Sequence, residues 1–122
     1  MPESAAPIRQ EMTDRAMWGI CRIHELFREK DCEVPGQLVS VFCFVASHNP
    51  CHMQAIEQGL GLSSNSVSRN TDWLSDYHRL GKPGMGLIAK EKDPLNYRRR
   101  ICRLTPKGED LVRRIKEILC EG

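Results

Sequence analysis

Two groups of side chains in the middle of the sequence could bind a polyanion. The first is a run of small polar residues that ends in a cation, and it comprises Ser64, Asn65, Ser66, Ser68 and Arg69. Hydroxyl and amide groups hydrogen-bond to base edges and phosphates, and a guanidinium reaches guanine or phosphate oxygens. The second group consists of cations, namely Lys90, Lys92, Arg98, Arg99, Arg100 and Arg103. Like charges on paired strands repel each other, so this cluster favours an external anion.

The formal charge is unevenly distributed along the chain. The net charge is +2, but residues 69–107 hold ten basic and four acidic side chains. Residues 1–68 hold five basic and eight acidic side chains, and residues 108–122 hold three and four. A basic centre between acidic flanks attracts polyanions such as nucleic acids, although a solvated basic surface would have the same composition.

Other chemistries have little support in the sequence. The four histidines are scattered, and no nucleophile–base pair, carboxylate pair or glycine-rich phosphate loop has a suitable spacing. The six cysteines include no C-x-x-C pair. A cluster of Cys43, His48, Cys51 and His52 begins in a very apolar helix, where a free cysteine acts as a small hydrophobe. We therefore expect no enzyme, no metal site and no cofactor.

The length of 122 residues suits one domain. No apolar run approaches the roughly 20 residues that cross a membrane. The first seven residues contain no basic segment followed by an apolar one, so no secretory signal is expected. We expect a cytoplasmic location, no membrane association and no disulfide framework. Residues 1–7 are predicted to form a flexible tail and residues 8–122 a single domain.

The elements that would position the polar run are helices. Apolar residues at helical spacing predict a first helix over about 6–30 and a second over about 35–48, with Pro35 in its first turn. The second helix is apolar nearly all round, which predicts a central, buried position. A short helix over about 51–59, a turn at Gly61, a cap at Ser63 and a helix over about 64–78 then predict a helix-turn-helix within 51–78.

The cations fall on a predicted hairpin, the wing, over about 86–104. Its strands cover about 87–92 and 99–104, and they flank a turn with Asp93 first and Pro94 second. Thr105 and Pro106 then start a last helix over about 106–120. The predicted fold class is mainly α with a small β-hairpin, a winged helix-turn-helix with an extra N-terminal helix.

From Val34 onward the sequence resembles the MarR family of bacterial transcription regulators. Residues 54–69 are similar to the family's helix-turn-helix, and residues 93–108 resemble its wing, with a tip aspartate, tip arginines and Leu-Thr-Pro-x-Gly at a fixed offset. The sequence departs from the family pattern at Tyr97, where arginine is usual, and at Asn70, where an apolar residue is usual. An apparent insertion over 79–86 and a short C-terminus are further departures.

The resemblance implies a sequence-specific regulator of transcription that binds double-stranded DNA, with repression the expected outcome and activation the alternative. The fourth helix would enter the major groove, and the wing, led by Arg98, the flanking minor groove. It also implies a homodimer through the N- and C-terminal helices, a pseudo-palindromic operator, an association with the nucleoid and an unidentified small-molecule effector. The residues expected to contact DNA are Ser64, Asn65, Ser66, Ser68, Arg69, Lys90, Arg98, Arg99 and Arg100.

Alternatives remain open at this point. The departures at Asn70 and Tyr97 and the short C-terminus would also suit a winged-helix module that binds another protein. A thiol-based redox regulator is a third hypothesis, with Cys21 or Cys32 as the thiol, because some members of the family respond to oxidants near the N-terminal helix. Within the site, Arg98 could pair with Asp93 to shape the turn. Asp72 could orient Arg69.

Overall fold

The computed structural model describes residues 11, 14–31, 33–76 and 81–120. In these ranges the elements are α1 (Arg15–Arg28), α2 (Gly36–Ser47), β1 (Cys51–His52), α3 (Met53–Leu60), α4 (Ser64–Leu74), β2 (Ile88–Asp93), β3 (Asn96–Leu104) and α5 (Pro106–Cys120). Helices with a small antiparallel sheet match the predicted fold class. The predicted tail, residues 1–7, lies outside the described residues. No described helix is long and apolar enough to cross a membrane.

The ends of three helices differ from the predictions. α1 begins after Asp14, whose side chain accepts a hydrogen bond from the N–H of Met17, and the predicted start at residue 6 lies outside the described residues. Pro35 has an extended backbone and precedes α2 as its N-cap, so it does not lie in the first turn. α4 ends at Leu74, because Ser75 leaves the helical conformation, whereas the sequence pattern predicts a helix to about residue 78.

α2 forms the centre of the core, as its composition predicted. Leu38, Val41, Phe42 and Val45 are buried along it. The ring of Phe42 meets the ring of Phe27 from α1 edge to face, with centroids 5.5 Å apart. Contacts of this kind bury large apolar areas against the helix. Cys43 is an exception, because its side chain is exposed rather than packed into the core.

The turn between α3 and α4 has the predicted chemistry. Gly61 ends α3 in the left-handed conformation, with φ of 66°. Ser63 caps α4 and accepts a hydrogen bond from the N–H of Ser66 at 3.1 Å. Asn70 is buried on α4, and its amide donates to the side-chain oxygen of Gln37 at 2.7 Å and to the carbonyl of Ser66 at 2.9 Å. The amide nitrogen of this buried polar residue therefore has two partners, and its bond to Gln37 ties α4 to α2.

The sheet has a strand that the sequence did not predict. Cys51 and His52 pair antiparallel with Cys102 and Ile101, which gives the strand order β1-β3-β2 in place of a two-stranded hairpin. These two residues were assigned to the start of α3. β3 also begins earlier than expected, at Asn96. A strand of two residues has no periodicity of its own, so only pairing with β3 reveals it.

Hydrogen bonds from Thr105 connect the start of α5 to the segment that precedes β2. The side chain of Thr105 accepts a hydrogen bond from the N–H of Gly108 and donates one to the carbonyl of Gly86. A Cβ atom on Gly108 would overlap the carbonyl oxygen of Leu87 and press on the side chain of Leu104. Glycine is thus the residue that lets the first turn of α5 approach the sheet so closely.

Candidate nucleic-acid interface

α4 presents a polar edge that continues from its N-terminus. Its inner face, Val67, Thr71 and Leu74, is buried. Of the residues expected to contact DNA, Ser64, Asn65 and Arg69 are exposed, and Ser66 and Ser68 are half-buried. The Ser66 hydroxyl accepts a hydrogen bond from Ser63, so it belongs to the cap of the helix. The exposed edge therefore offers an amide, a hydroxyl and a guanidinium beside free N–H groups of the first turn.

α4 is joined to the wing by an ion pair. The ammonium nitrogen of Lys90, on β2, lies 2.7 Å from a carboxylate oxygen of Asp72, and the Lys90 side chain is only 8% exposed. Lys90 was expected to reach DNA, but its charge is directed at Asp72. Asp72 was expected to orient Arg69, but it binds Lys90 instead. We therefore leave Lys90 out of the interface proposed below and assign it a positioning role.

The tip of the wing is shaped by Asp93. One carboxylate oxygen accepts a hydrogen bond from the N–H of Leu95 at 2.9 Å, and the other accepts one from Nε2 of His52 at 2.8 Å. The hydrogen bond from His52, followed by that from the Leu95 backbone, holds the pKa of Asp93 below its usual range. The alternative role of Arg98, a salt bridge to Asp93, is not seen: within the described ranges Asp93 pairs with His52, and Arg98 forms no salt bridge.

A bulge in β3 displays the arginines. Lys92 pairs with Arg100 and Asp93 pairs with Asn96, so Tyr97, Arg98 and Arg99 have no partner residues in β2. Bulges of this type turn side chains away from the sheet and occur often beside functional sites. Arg98, Arg99 and Arg100 are exposed, and within the described ranges none of them forms a salt bridge.

The arginines of the wing and the start of the helix-turn-helix border one groove. Its volume is about 310 Å³, and it is lined by His52, Met53, Gln54, Glu57, Arg98, Arg99 and Arg100. Arg103, by contrast, lies outside this lining and pairs with Glu91 at 2.7 Å. The six cations of the predicted cluster thus divide into two that are paired within the fold, Lys90 and Arg103, three that line the groove, and Lys92, which is exposed outside that lining.

The cysteines divide by burial. Cys21 is exposed on α1, and Cys32 lies outside the described residues. Cys51 and Cys102 are buried directly opposite each other on β1 and β3. Burial raises the pKa of Cys51, and burial together with the neighbouring Cys51 raises that of Cys102 to about 12. Both are therefore protonated and poorly nucleophilic near neutral pH.

Sequence reasoning missed His52 and the exposed apolar tip. His52 was placed in a helix, so its pairing with Asp93 could not be anticipated. Leu95 and Tyr97 lie at the tip with 94% and 75% of their surface exposed. A large apolar residue inside turn chemistry was the available signal for Leu95, because the residues of a tight turn at a hairpin tip have no core to pack against.

No protein-family model and no curated protein matches this sequence. The fold, in contrast, is similar to several solved structures. RV1404 from Mycobacterium tuberculosis is 18% identical, with a TM-score of 0.65 over 92% of this chain and 77% of that one. A mutant of MarR from E. coli, complexed with operator DNA, is 13% identical, with a TM-score of 0.59 over 85% of this chain and 70% of that one. Overoxidized AbfR bound to DNA is 18% identical, with a TM-score of 0.59 over 87% and 74%.

These structures are similar to this chain over most of its length. At such low identity, the likeness shows the fold: five helices and a three-stranded antiparallel sheet arranged as in MarR-type winged helices. The predicted fold class and the resemblance in fold are thereby confirmed.

Proposed function

We propose that this chain, which has the winged-helix fold of MarR-type regulators, is a sequence-specific regulator of transcription that binds double-stranded DNA. The observation that carries the proposal is a set of three exposed arginines that form no salt bridge within the described ranges, Arg98 and Arg99 on the bulge of β3 and Arg100 directly after it, beside a helix-turn-helix with an exposed polar edge. Guanidinium groups left without internal partners bind phosphates well, since they form bidentate, charge-assisted hydrogen bonds.

The recognition helix in this proposal is α4. Its exposed N-terminal residues, Ser64 and Asn65, together with Ser68 and Arg69, would lie in the major groove, where amide and hydroxyl groups distinguish base edges. The Ser63 cap leaves other first-turn N–H groups available for a phosphate. The ion pair between Lys90 and Asp72 supports this assignment, since it couples the outer face of α4 to the strand that leads to the wing tip.

The wing in this proposal lies in the flanking minor groove. Arg98 and its neighbours Arg99 and Arg100 would bind phosphates or the groove floor, where positive side chains are attracted by the negative potential. Support comes from the lack of salt bridges at these arginines within the described ranges. The MarR mutant and AbfR, whose structures were solved with DNA, have the same fold, which is consistent with this mode of binding.

We further propose that two copies associate through α1 and α5. These helices pack together, with Arg114 of α5 3.3 Å from Glu29, the C-cap residue of α1. Together they expose Met17, Trp18, Ile20 and Leu119, of which Trp18 is 50% exposed. A second copy packed against these two helices would cover exposed apolar side chains and would match a pseudo-palindromic operator. Changing Trp18→Glu should give a monomer in sedimentation experiments, whereas Leu95→Ala, an exposed leucine elsewhere, should leave the dimer intact. A wild-type monomer at all concentrations would contradict this part.

The experiment that tests DNA binding is selection from random duplexes by the wild-type protein. We expect enrichment of one sequence with two related half-sites about one helical turn apart. In gel shifts, Asn65→Ala and Ser68→Ala should weaken binding to that sequence about tenfold, which corresponds to about 1.4 kcal/mol, and weaken binding to random DNA much less. Ser40→Ala, an exposed serine on α2, is the matched control.

Two results would overturn the proposal. If no duplex is enriched and no shift occurs at micromolar protein, DNA binding fails. Stable co-purification of a partner protein would then favour the protein-interaction module. If these two substitutions weaken binding to selected and random DNA equally, Asn65 and Ser68 do not contribute to sequence recognition.

Thiol-based regulation is a second candidate, and the exposure of Cys21 favours it. Its test is release of the selected duplex by peroxide. The release should disappear in Cys21→Ser or, for the thiol outside the described residues, in Cys32→Ser. Peroxide release that persists in both variants would contradict thiol sensing at these positions.

A further inference from the structure

The wing tip combines exposed apolar side chains with a run of cations. Leu95 and Tyr97 are the most exposed large apolar side chains of the described part of the chain, at 94% and 75%. They lie within three residues of one another and are followed directly by Arg98, Arg99 and Arg100. A nucleic acid offers a surface that matches each of these features. The stacked bases match the apolar tip, and the phosphates match the cations beside it.

The backbone at the tip is held in one shape. Asp93 accepts a hydrogen bond from the N–H of Leu95, and the side chain of Asn96 accepts one from the N–H of Arg98. His52 fixes Asp93 from the opposite edge of the sheet, across β3. The exposed position of Leu95 and Tyr97 thus follows from a bonded turn and a bulge. A tip ordered before binding loses less conformational entropy when it enters a ligand.

We propose that Leu95 and Tyr97 form an apolar wedge that enters the minor groove, partly unstacks one base step and kinks the duplex. This inference rests on the proposed function, because it needs the wing to reach DNA. Apolar side chains are the residues that proteins insert between base steps from the minor groove, and the neighbouring cations hold the phosphates on either side. A leucine supplies a compact wedge, and the tyrosine ring can stack on the exposed base.

The sequence preference of such a wedge differs from that of α4. Unstacking is easiest at pyrimidine–purine steps, so the wedge would select deformable steps rather than hydrogen-bonding patterns. The duplex recovered by selection should therefore contain TA or CA/TG steps where the wings lie, outside the half-sites read by α4.

The test uses that selected duplex with donor and acceptor dyes at its two ends. Wild-type protein should increase energy transfer, because a kink brings the ends together, and should make thymines at the wing sites reactive to permanganate. Leu95→Ala should lose most of both signals and bind about tenfold more weakly. Leu95→Met and Tyr97→Phe, which keep an apolar wedge and a ring, should retain them. Leu95 has almost no contacts to lose, so its substitution should leave folding unchanged.

The outcomes separate this inference from the proposed function. If the wild-type protein selects and binds a duplex but neither bends it nor exposes thymines, the wedge is wrong and DNA binding stands. If Leu95→Ala and Tyr97→Ala bind and bend as the wild type does, the wedge is also wrong. If no duplex is enriched, both fail. Binding to vesicles containing phosphatidylserine that depends on Leu95 and exceeds binding to DNA would assign the tip to a membrane surface instead.

Discussion

The ammonium group of Lys90 lies 2.7 Å from the carboxylate of Asp72, and it is the Lys90 side chain that is nearly buried. These residues are 18 positions apart and belong to β2 and α4. The pair therefore fixes the orientation of the helix edge relative to the wing. The Asp72 side chain is partly open to water and the Lys90 side chain is not. Removing one partner should therefore change the free energy of unfolding by a different amount from removing the other.

Asp72→Ala should destabilise the fold by about 2 kcal/mol, since it leaves a nearly buried ammonium without a partner. The value is below that of a fully buried pair because water reaches the Asp72 side. Lys90→Met keeps the apolar stem and leaves a carboxylate that water can solvate, so its cost should be under about 1 kcal/mol. Urea unfolding of both variants checks this order, and the reverse order would contradict the positioning role.

Arg98→Ala should weaken operator binding and flatten its salt dependence. Each phosphate contact that is lost reduces the slope of log K against log salt by about 0.9. Arg113→Ala makes the same change of net charge on α5, where Arg113 is already paired with Asp110 and Glu117, and should leave the slope unchanged. Lys90→Met should likewise leave it nearly unchanged. The measurement is a salt titration of binding. Equal slopes for Arg98→Ala and the wild type would mean that Arg98 does not contact phosphate.

Gly108→Ala should destabilise the protein by about 3 kcal/mol, because the new Cβ overlaps the Leu87 carbonyl and backbone must move to relieve it. Gly36→Ala is the matched control, since no atom lies within 4 Å of a Cβ there. Alanine at that helical position should be neutral or stabilising by up to about 1 kcal/mol. Thermal unfolding compares the two. A Gly108→Ala protein as stable as Gly36→Ala would show that the helix is free to shift.

The His52–Asp93 contact should make stability sensitive to acid. The pKa of Asp93 lies below its ordinary value of 3.8, so the folded state favours the carboxylate. Its contribution is present above pH 3.8 and is lost as the pH falls below that value. Asp93→Asn should therefore be less stable than the wild type at neutral pH, with a difference that shrinks below about pH 4. Urea midpoints across pH measure it. In a His52→Ala background, Asp93→Asn should change stability much less. If the stability difference between Asp93→Asn and the wild type does not depend on pH, this account is contradicted.

The buried thiols should be inert in the native protein. Cys102, with a pKa raised to about 12 by burial and by Cys51, holds almost no thiolate near neutral pH. Iodoacetamide at pH 8 should modify the exposed Cys21 and Cys120 and leave Cys51 and Cys102 intact, as read by peptide mass spectrometry. In urea all four should react. Native labelling of Cys102 as fast as that of Cys21 would contradict its burial.

Local signals in the sequence predicted most of the elements. Gly61 supplies a left-handed turn, and Ser63 and Thr105 cap the helices that follow them, each within three residues of its partner. The apolar composition of α2 indicated its central position. Such features depend on neighbouring residues alone, which is why periodicity and capping chemistry were sufficient to predict them.

The candidate site was predicted only in part. The polar edge of α4 and the cations of the wing were identified from composition. The sequence did not show which of these cations are free to bind a ligand. Lys90 pairs with Asp72 on α4, and Arg103 pairs with Glu91 on the opposite strand. The bulge that displays Tyr97 to Arg99 was also missed, since strand register depends on both partners.

The sequence by itself determined the order of the helices, the turn between α3 and α4, the caps and the basic character of the wing. Only the tertiary structure decided that His52 meets Asp93 across 41 positions, that Gln37 accepts a hydrogen bond from Asn70 across 33, and that Cys51 opposes Cys102. The physical reason is the separation along the chain over which each kind of interaction acts. Backbone preferences act within a turn or two of chain, whereas a partner for a charge or a buried amide is chosen by packing, which brings together residues that no local pattern connects.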